Sequence, residues 1–117
     1  MLAMAAMREP TYFILAALVD GPSHGYGIIQ EAKSLSGGRV RLTAGTLYPA
    51  LERLTKEGLV EPDREELVSG RRRRYFRLTG TGESALAEET DRMRSAAETV
   101  SHRLSALRRP RAQRVSP

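Results

Sequence analysis

The residues best suited to chemistry in this chain are arginines. Arg71-Arg72-Arg73-Arg74-Tyr75-Phe76-Arg77 sets five guanidinium groups and two aromatic rings within seven residues that hold no acid. A guanidinium is a planar fork of N–H donors that fits the paired oxygens of a phosphate or the O6/N7 edge of guanine. The whole chain leans the same way, with 17 arginines against 2 lysines and a net charge of +5. Arginine-rich codon usage would raise that ratio, but it would not place four arginines in a row. The expected partner is a polyanion.

Other chemistries are poorly supplied. The chain has no cysteine, which excludes disulfides, thiol nucleophiles and thiolate metal sites. His24 and His102 are the only histidines, too few to build a metal site. No glycine-rich phosphate loop opens a helix, and no serine has a partnered histidine. Glu65-Glu66 and Glu88-Glu89 are consecutive acids that read as solvated. No enzyme and no cofactor are expected. No apolar run approaches the roughly 18 residues of a membrane span. Met1 to Met7 is apolar but short, without a basic region ahead of it, so it does not read as a secretory signal. The cytoplasm is the expected compartment.

Five elements must position these groups. A first helix is expected from about Glu9 to Val19, with Pro10 at its start, an apolar face of Phe13, Ile14, Ala17 and Leu18, and Asp20-Gly21-Pro22 as its stop. A second runs from His24 to about Leu35, with Ser23 as N-cap and Ile28, Ile29, Ala32 and Leu35 as its buried stripe. Gly25 and Gly27 weaken it by roughly 1 kcal/mol each, which suggests a close approach by another backbone or a ligand. A third begins at Thr43 or Thr46 and ends near Glu57, before Gly58 at the C′ position. Its Leu47, Leu51 and Leu54 make one apolar stripe, so Gly45, Thr46, Pro49, Glu52, Arg53 and Lys56 face outward, with Tyr48 on the boundary. With Thr46 as cap Pro49 is harmless; with Thr43 as cap one backbone hydrogen bond is lost and a slight bend follows.

A β-hairpin is expected next, from Leu59 to about Glu66, turning at Val68-Ser69-Gly70 and returning over Arg72 to Leu78. Last comes a long helix capped by Thr79 and running to about Leu107. Its Leu86, Thr90, Met93, Ala97, Val100, Leu104 and Leu107 recur at alternating intervals of four and three, a heptad seam. A rod of roughly 42 Å at 1.5 Å per residue outreaches a small domain and needs a further partner. The fold class is therefore mainly α with a small β-hairpin. A winged helix-turn-helix DNA-binding domain over 1–79 is followed by a dimerisation helix over 80–107 and a disordered basic tail over 108–117. In that arrangement the third helix enters the major groove, its N-terminal dipole and free N–H groups meeting phosphate or base acceptors.

Particular runs carry a family resemblance. His24-Gly25-Tyr26-Gly27-Ile28, Gly45-Thr46-Leu47-Tyr48-Pro49-Ala50-Leu51-Glu52-Arg53-Leu54, Gly58-Leu59-Val60 and Arg74-Tyr75-Phe76-Arg77-Leu78-Thr79-Gly80-Thr81-Gly82 resemble the PadR family of bacterial transcription regulators. The resemblance runs in register over about residues 8 to 90. Two positions depart from it: Gly27 stands where an acidic residue is frequent, and Phe76 where a second tyrosine is common. The resemblance implies a dimeric winged-helix repressor that releases DNA on binding a small molecule or another signal. It also implies that the single long helix crosses to a second protomer, as in the short subfamily.

The candidate DNA contacts are Tyr26, Thr43, Gly45, Thr46, Tyr48, Pro49 and Arg53, with Arg72, Arg73 and Arg74 from the wing. The candidate dimer interface is the heptad seam. Two recognition helices about one DNA turn apart, roughly 34 Å, would read a palindromic operator in double-stranded DNA. If about four wing contacts form per protomer, the logarithm of affinity falls with a slope near −7 against the logarithm of salt. The chain has no tryptophan, and its long helix has no aromatic residue, which argues against a stacking pocket for a flat effector. Met93 and Val100 read as core more readily than as a ligand cavity, and both histidines read as structural. The alternative is a winged-helix module that binds RNA or a protein partner, which the arginine run alone would also serve.

Overall fold

A computed structural model of the chain describes residues 7–109. Their order is α1 (Glu9–Ala16), β1 (Ser23–His24), α2 (Gly25–Leu35), α3 (Ala44–Lys56), β2 (Val60–Val68), β3 (Arg71–Leu78) and α4 (Gly80–Leu107). This is the expected mainly helical fold with a small hairpin, plus one unexpected strand. Ser23 and His24 pair antiparallel with Phe76 and Tyr75, so the sheet has three strands in the order β1-β3-β2. The basic tail expected over 108–117 lies, from position 110 onward, outside the described residues, as do positions 1–6. No helix among the described residues is long and apolar enough to cross a membrane.

The helices follow their apolar periods, with corrections in phase. α1 ends at Ala16, and hydrogen-bonded turns carry the chain on to Gly21. Ile14, Leu15, Ala17 and Leu18 are buried, whereas Phe13 is only half-buried. Nearly every residue of this helix is apolar, so its sequence cannot set the phase of the buried face. In α2, Ile28 and Ala32 are buried, but Leu35 is 47% exposed. The stripe continues four residues on, at Ser36, whose buried hydroxyl accepts from the Val40 N–H at 2.9 Å. Ser23, expected as the cap of α2, belongs to β1; His24 caps the helix instead.

α3 resolves the choice of cap. Thr43 is the N-cap and forms a reciprocal capping box with Thr46, leaving Pro49 inside the helix without an N–H to give to Gly45. Leu47, Leu51 and Leu54 are each at most 1% exposed, a burial worth about 2 kcal/mol apiece. The helix ends as expected at Gly58: its N–H bonds the Thr55 carbonyl and the Leu59 N–H bonds that of Leu54.

The hairpin is longer and tighter than expected. β2 and β3 run to Val68 and from Arg71, joined by the two-residue turn Ser69-Gly70 with φ of 51° and 77°. Two left-handed residues match the twist of the flanking strands. Between Pro62 and Glu65 two residues of β2 stand opposite Tyr75 alone, a β-bulge. Pro62 is tolerated because β2 is an edge strand.

The described residues divide into two units, one ending at Ala87 and one beginning at Glu88. In the first, the core gathers residues of α1, α2, α3 and the sheet with Ala85 and Leu86 from the first turns of α4. Leu86, the first residue of the heptad seam, is therefore buried in this core. Thr79 caps α4 by accepting from the Gly82 N–H at 2.9 Å, while its own hydroxyl donates to the Gly58 carbonyl. A side chain at Gly82 would run into the Leu59 carbonyl, whose carbon would lie 2.9 Å from the new Cβ. Gly82→Ala is therefore expected to lose about 1–3 kcal/mol in urea denaturation, although alanine favours a helix interior.

Candidate nucleic-acid interface

The outward face of α3 is the one its leucine stripe leaves over: Gly45, Thr46, Tyr48, Pro49, Glu52, Arg53 and Lys56 are all exposed. At its tip the Thr46 N–H donates to Thr43 Oγ1 at 3.3 Å, and the Thr43 N–H donates to Thr46 Oγ1 at 3.1 Å. The Thr46 hydroxyl in turn donates to the Thr43 carbonyl at 3.0 Å. Both threonines are thus committed first to starting the helix. Gly45 adds no bulk, so the tip can approach a surface closely.

Tyr48 leaves this tip sideways and lies over the first residue of α2. A Cβ built on Gly25 would fall inside contact distance of the Tyr48 hydroxyl and 2.9 Å from its Cζ. The close approach signalled by Gly25 is therefore made by a side chain rather than by a backbone or ligand. Tyr26 stands beside it, 67% exposed. These two tyrosines, with His24, Gly25 and the wing residues Arg71, Arg72, Arg73 and Arg74, line an open groove of about 630 Å³. A second groove of about 470 Å³ runs between α3 and the hairpin, where Pro49 and Glu52 face Pro62, Arg74 and Phe76. The structure thus brings Tyr26, Tyr48, Pro49, Arg72, Arg73 and Arg74 together on the wing side of α3.

Arg53 goes the other way. Its Nη2 donates to Thr11 Oγ1 at 3.1 Å, and its Nη1 lies 3.7 Å from Glu57. It lines a cleft of about 460 Å³ between α1 and α3 that also holds Arg8, Arg39, Arg41 and Thr46. Arg8, Arg39 and Arg41 were not among the candidate contacts, because nothing in their spacing links position 8 to positions 39 and 41.

The wing is less bare than its sequence suggests. The arginine run contains no acid, yet β2 presents four across the hairpin. Arg77 pairs with Glu61 at 2.8 Å and Asp63 at 2.9 Å, and Arg72 with Glu65 at 3.5 Å. Arg71, Arg73 and Arg74 make no ion pair among the described residues. Arg64, from the bulge, bonds Glu66 and Asp63 at 3.0 Å each and stacks 3.9 Å over the Tyr75 ring. Tyr75 donates to Glu66 at 2.9 Å. The outer half of β3 therefore keeps three unpaired cations around the paired Arg72, while Arg77 near the base of the hairpin is balanced.

A basic groove beside a capped, outward-facing helix tip invites comparison with known proteins. Residues 14–88 match the model of the transcriptional regulator PadR-like family. Over 87 residues, 74% of this chain and 78% of the relative, the sequence is 38% identical to transcriptional regulator Rv3488 of Mycobacterium tuberculosis. The chain belongs to the PadR-like family of transcriptional regulators. A PadR-like transcription factor from Bacteroides fragilis superposes with a TM-score of 0.65 at 37% identity, covering 79% of this chain and 86% of that one. Bacillus subtilis PadR, solved in complex with operator DNA, superposes with a TM-score of 0.61 at 28% identity, covering 69% of this chain and 46% of that one.

Within this PadR-like domain the two departures have local explanations. A Cβ at Gly27 would strike the Ser23 hydroxyl and sit 3.5 Å from His24 Nε2, so the glycine makes room for β1. Phe76 is buried, where it brings no hydroxyl needing a partner. His24 itself joins three elements. It pairs with Tyr75 in the sheet, packs edge-on against the Tyr75 ring at 5.3 Å, and accepts the Gly27 N–H on Nδ1 at 3.4 Å.

Burial, helped by the charge of Arg73, lowers the His24 pKa from its ordinary 6.5, with Glu66 pulling the other way. The unfolded chain then takes up this proton more readily than the folded one. The stability that neutral His24 contributes is complete above the unfolded pKa and is lost as pH falls through the lower folded value. His24→Asn keeps an acceptor at the cap but cannot titrate. Urea denaturation from about pH 7.5 down to about 5 should show the wild type losing stability relative to this variant. A difference independent of pH would exclude the role.

Proposed function

We propose that the protein is a homodimeric, sequence-specific DNA-binding transcription regulator, a repressor released from its operator by a small molecule or another signal. The observation that carries this reading is the groove in which the exposed tyrosines of α2 and α3 meet the unpaired arginines of the wing tip. In it α3 enters the major groove tip first, with Gly45, Thr46, Tyr48 and Pro49 nearest the bases and Thr43 holding the helix start. Tyr26 and Arg72, Arg73 and Arg74 meet phosphates beside it. Phosphate contacts of this kind place the protein without reading sequence, so specificity falls to the helix tip. Its setting is the cytoplasm, where the DNA is.

Family membership supports a regulator, and the operator complex of the Bacillus subtilis relative supports duplex DNA as the target. Selection of bound sites from random duplexes with purified protein tests the reading. A palindromic motif is expected; sequence-blind binding, or preference for structured RNA, would overturn it.

The dimer rests on α4. From Asp91 to Arg109 every described residue is exposed, including Met93, Ala97, Val100 at 55% and Leu104 at 40%. An apolar seam at heptad spacing, open to water in one chain, is suited to a second copy of itself. We assign the interface to Met93, Ala97, Val100, Leu104 and Leu107, with Thr90 at its inner end and Leu86 anchoring the helix.

Two substitutions check these assignments. Replacing Arg72, Arg73 and Arg74 together with Ala should weaken binding to all sequences and make the salt slope shallower by roughly 5 for a dimer. An unchanged slope would remove the wing from the mechanism. Leu104→Glu should shift the protein to single chains in sedimentation, and operator affinity should fall with it.

A further inference from the structure

We infer that the cleft on the far side of α3, rimmed by Arg8, Arg39 and Arg41, is a second backbone grip for duplex DNA, on the strand opposite the wing. The inference rests on the DNA-binding reading and extends it to residues outside the candidate contacts.

Position on the helix gives the first argument. The leucine stripe fixes Gly45, Pro49 and Lys56 as the face pointing straight out, since they lie opposite Leu47, Leu51 and Leu54 at 3.6 residues per turn. Two stripes flank that face. On one side Tyr48 and Glu52 line the grooves shared with the hairpin. On the other Thr46, Ala50 and Arg53 line the cleft shared with Arg8, Arg39 and Arg41. The recognition helix therefore stands between two cationic walls built from different parts of the chain.

Groove dimensions give the second. The major groove is about 12 Å wide and bounded by phosphates of both strands, while a helix with its side chains is about 10–12 Å across. A helix that fills the groove brings both of its flanks to phosphate. A single basic wall would grip one strand and leave the other flank uncompensated; this chain supplies a wall for each.

Charge pairing shows which residues are available. Arg39 is held by Glu9, and Arg53 by Glu57 and Thr11. Arg8 and Arg41 are exposed and make no ion pair among the described residues. The Nε of Arg41 donates to the Gly38 carbonyl at 3.0 Å, which fixes the side chain and leaves its terminal nitrogens free of that bond. Arg8 and Arg41 are thus the phosphate contacts, and the Glu9–Arg39 pair ties the start of α1 to the loop that carries Arg41.

The test compares operator binding by the wild type, the wing variant and Arg8→Ala/Arg41→Ala at several salt concentrations, with phosphate-ethylation interference on each strand. The expected result is a slope shallower by roughly 3 to 4 for the dimer, additive with the loss in the wing variant. Within each half-site, interference should be lost at phosphates on the strand that the wing of the same protomer does not touch, and the melting temperature should not change. Arg8→Lys/Arg41→Lys should restore the slope. If the alanine pair melts early, Arg8→Gln/Arg41→Gln takes its place. A wild-type slope and footprint in the double variant, alongside a flattened wing variant, would overturn this inference alone. If the wild type bound no operator, the DNA-binding reading would fail, and this inference with it.

Discussion

β3 is hydrogen-bonded along both edges, to Ser23–His24 on one side and to β2 on the other, and the basic surface depends on that double pairing. The first contact fixes where α2 begins, because His24 is at once the last residue of β1 and the cap of the helix. The second fixes the direction in which the arginine-rich tip projects. α3 is set by three leucines in the core that also holds Val60 and Phe76 of the sheet, and its tip meets this frame through the Tyr48 ring over Gly25. The helix tip and the wing thus hold a common geometry through a shared core, a strand of only two residues and one aromatic contact.

The electrostatics of the hairpin follow from its register. Exposed ion pairs are worth about 0–1 kcal/mol, so the pairing of Arg72 with Glu65 can yield to phosphate at little cost. Arg77 differs, because two carboxylates hold it near the base of the hairpin. The cross-strand acids also dilute the field of the arginine run. A protein so arranged gains less from indiscriminate attraction to polyanions and depends more on where its unpaired guanidiniums stand.

Much of the fold was legible in the sequence because its strongest signals are periodic. The leucine stripe of α3 and the turn and cap residues at Gly58, Ser69-Gly70 and Thr79 all stand where their chemistry predicts. β1 was not legible: two residues carry no period, and Ser23–His24 is a strand only because β3 lies beside it. The phase of α1 escaped for the opposite reason, since an almost wholly apolar helix offers no contrast. Half of the basic surface was legible as a run of neighbours. The other half, at Arg8, Arg39 and Arg41, is assembled by the packing of α1 against α3 and has no signature along the chain. The acids of β2 were visible, but their pairing with Arg72 and Arg77 needed the register and the bulge.

The aromatic residues are unevenly placed. The chain has four tyrosines and no tryptophan. Tyr26 and Tyr48 line the wing-side groove, and Tyr75 packs on His24 at its wall, while α4 has no aromatic side chain. Near-ultraviolet emission from the unlabelled protein therefore originates almost wholly in the basic domain. A change in that signal reports on the first unit, Tyr12 of α1 included, and is blind to the helix beyond Glu88, so events in the two units can be told apart optically without a dye.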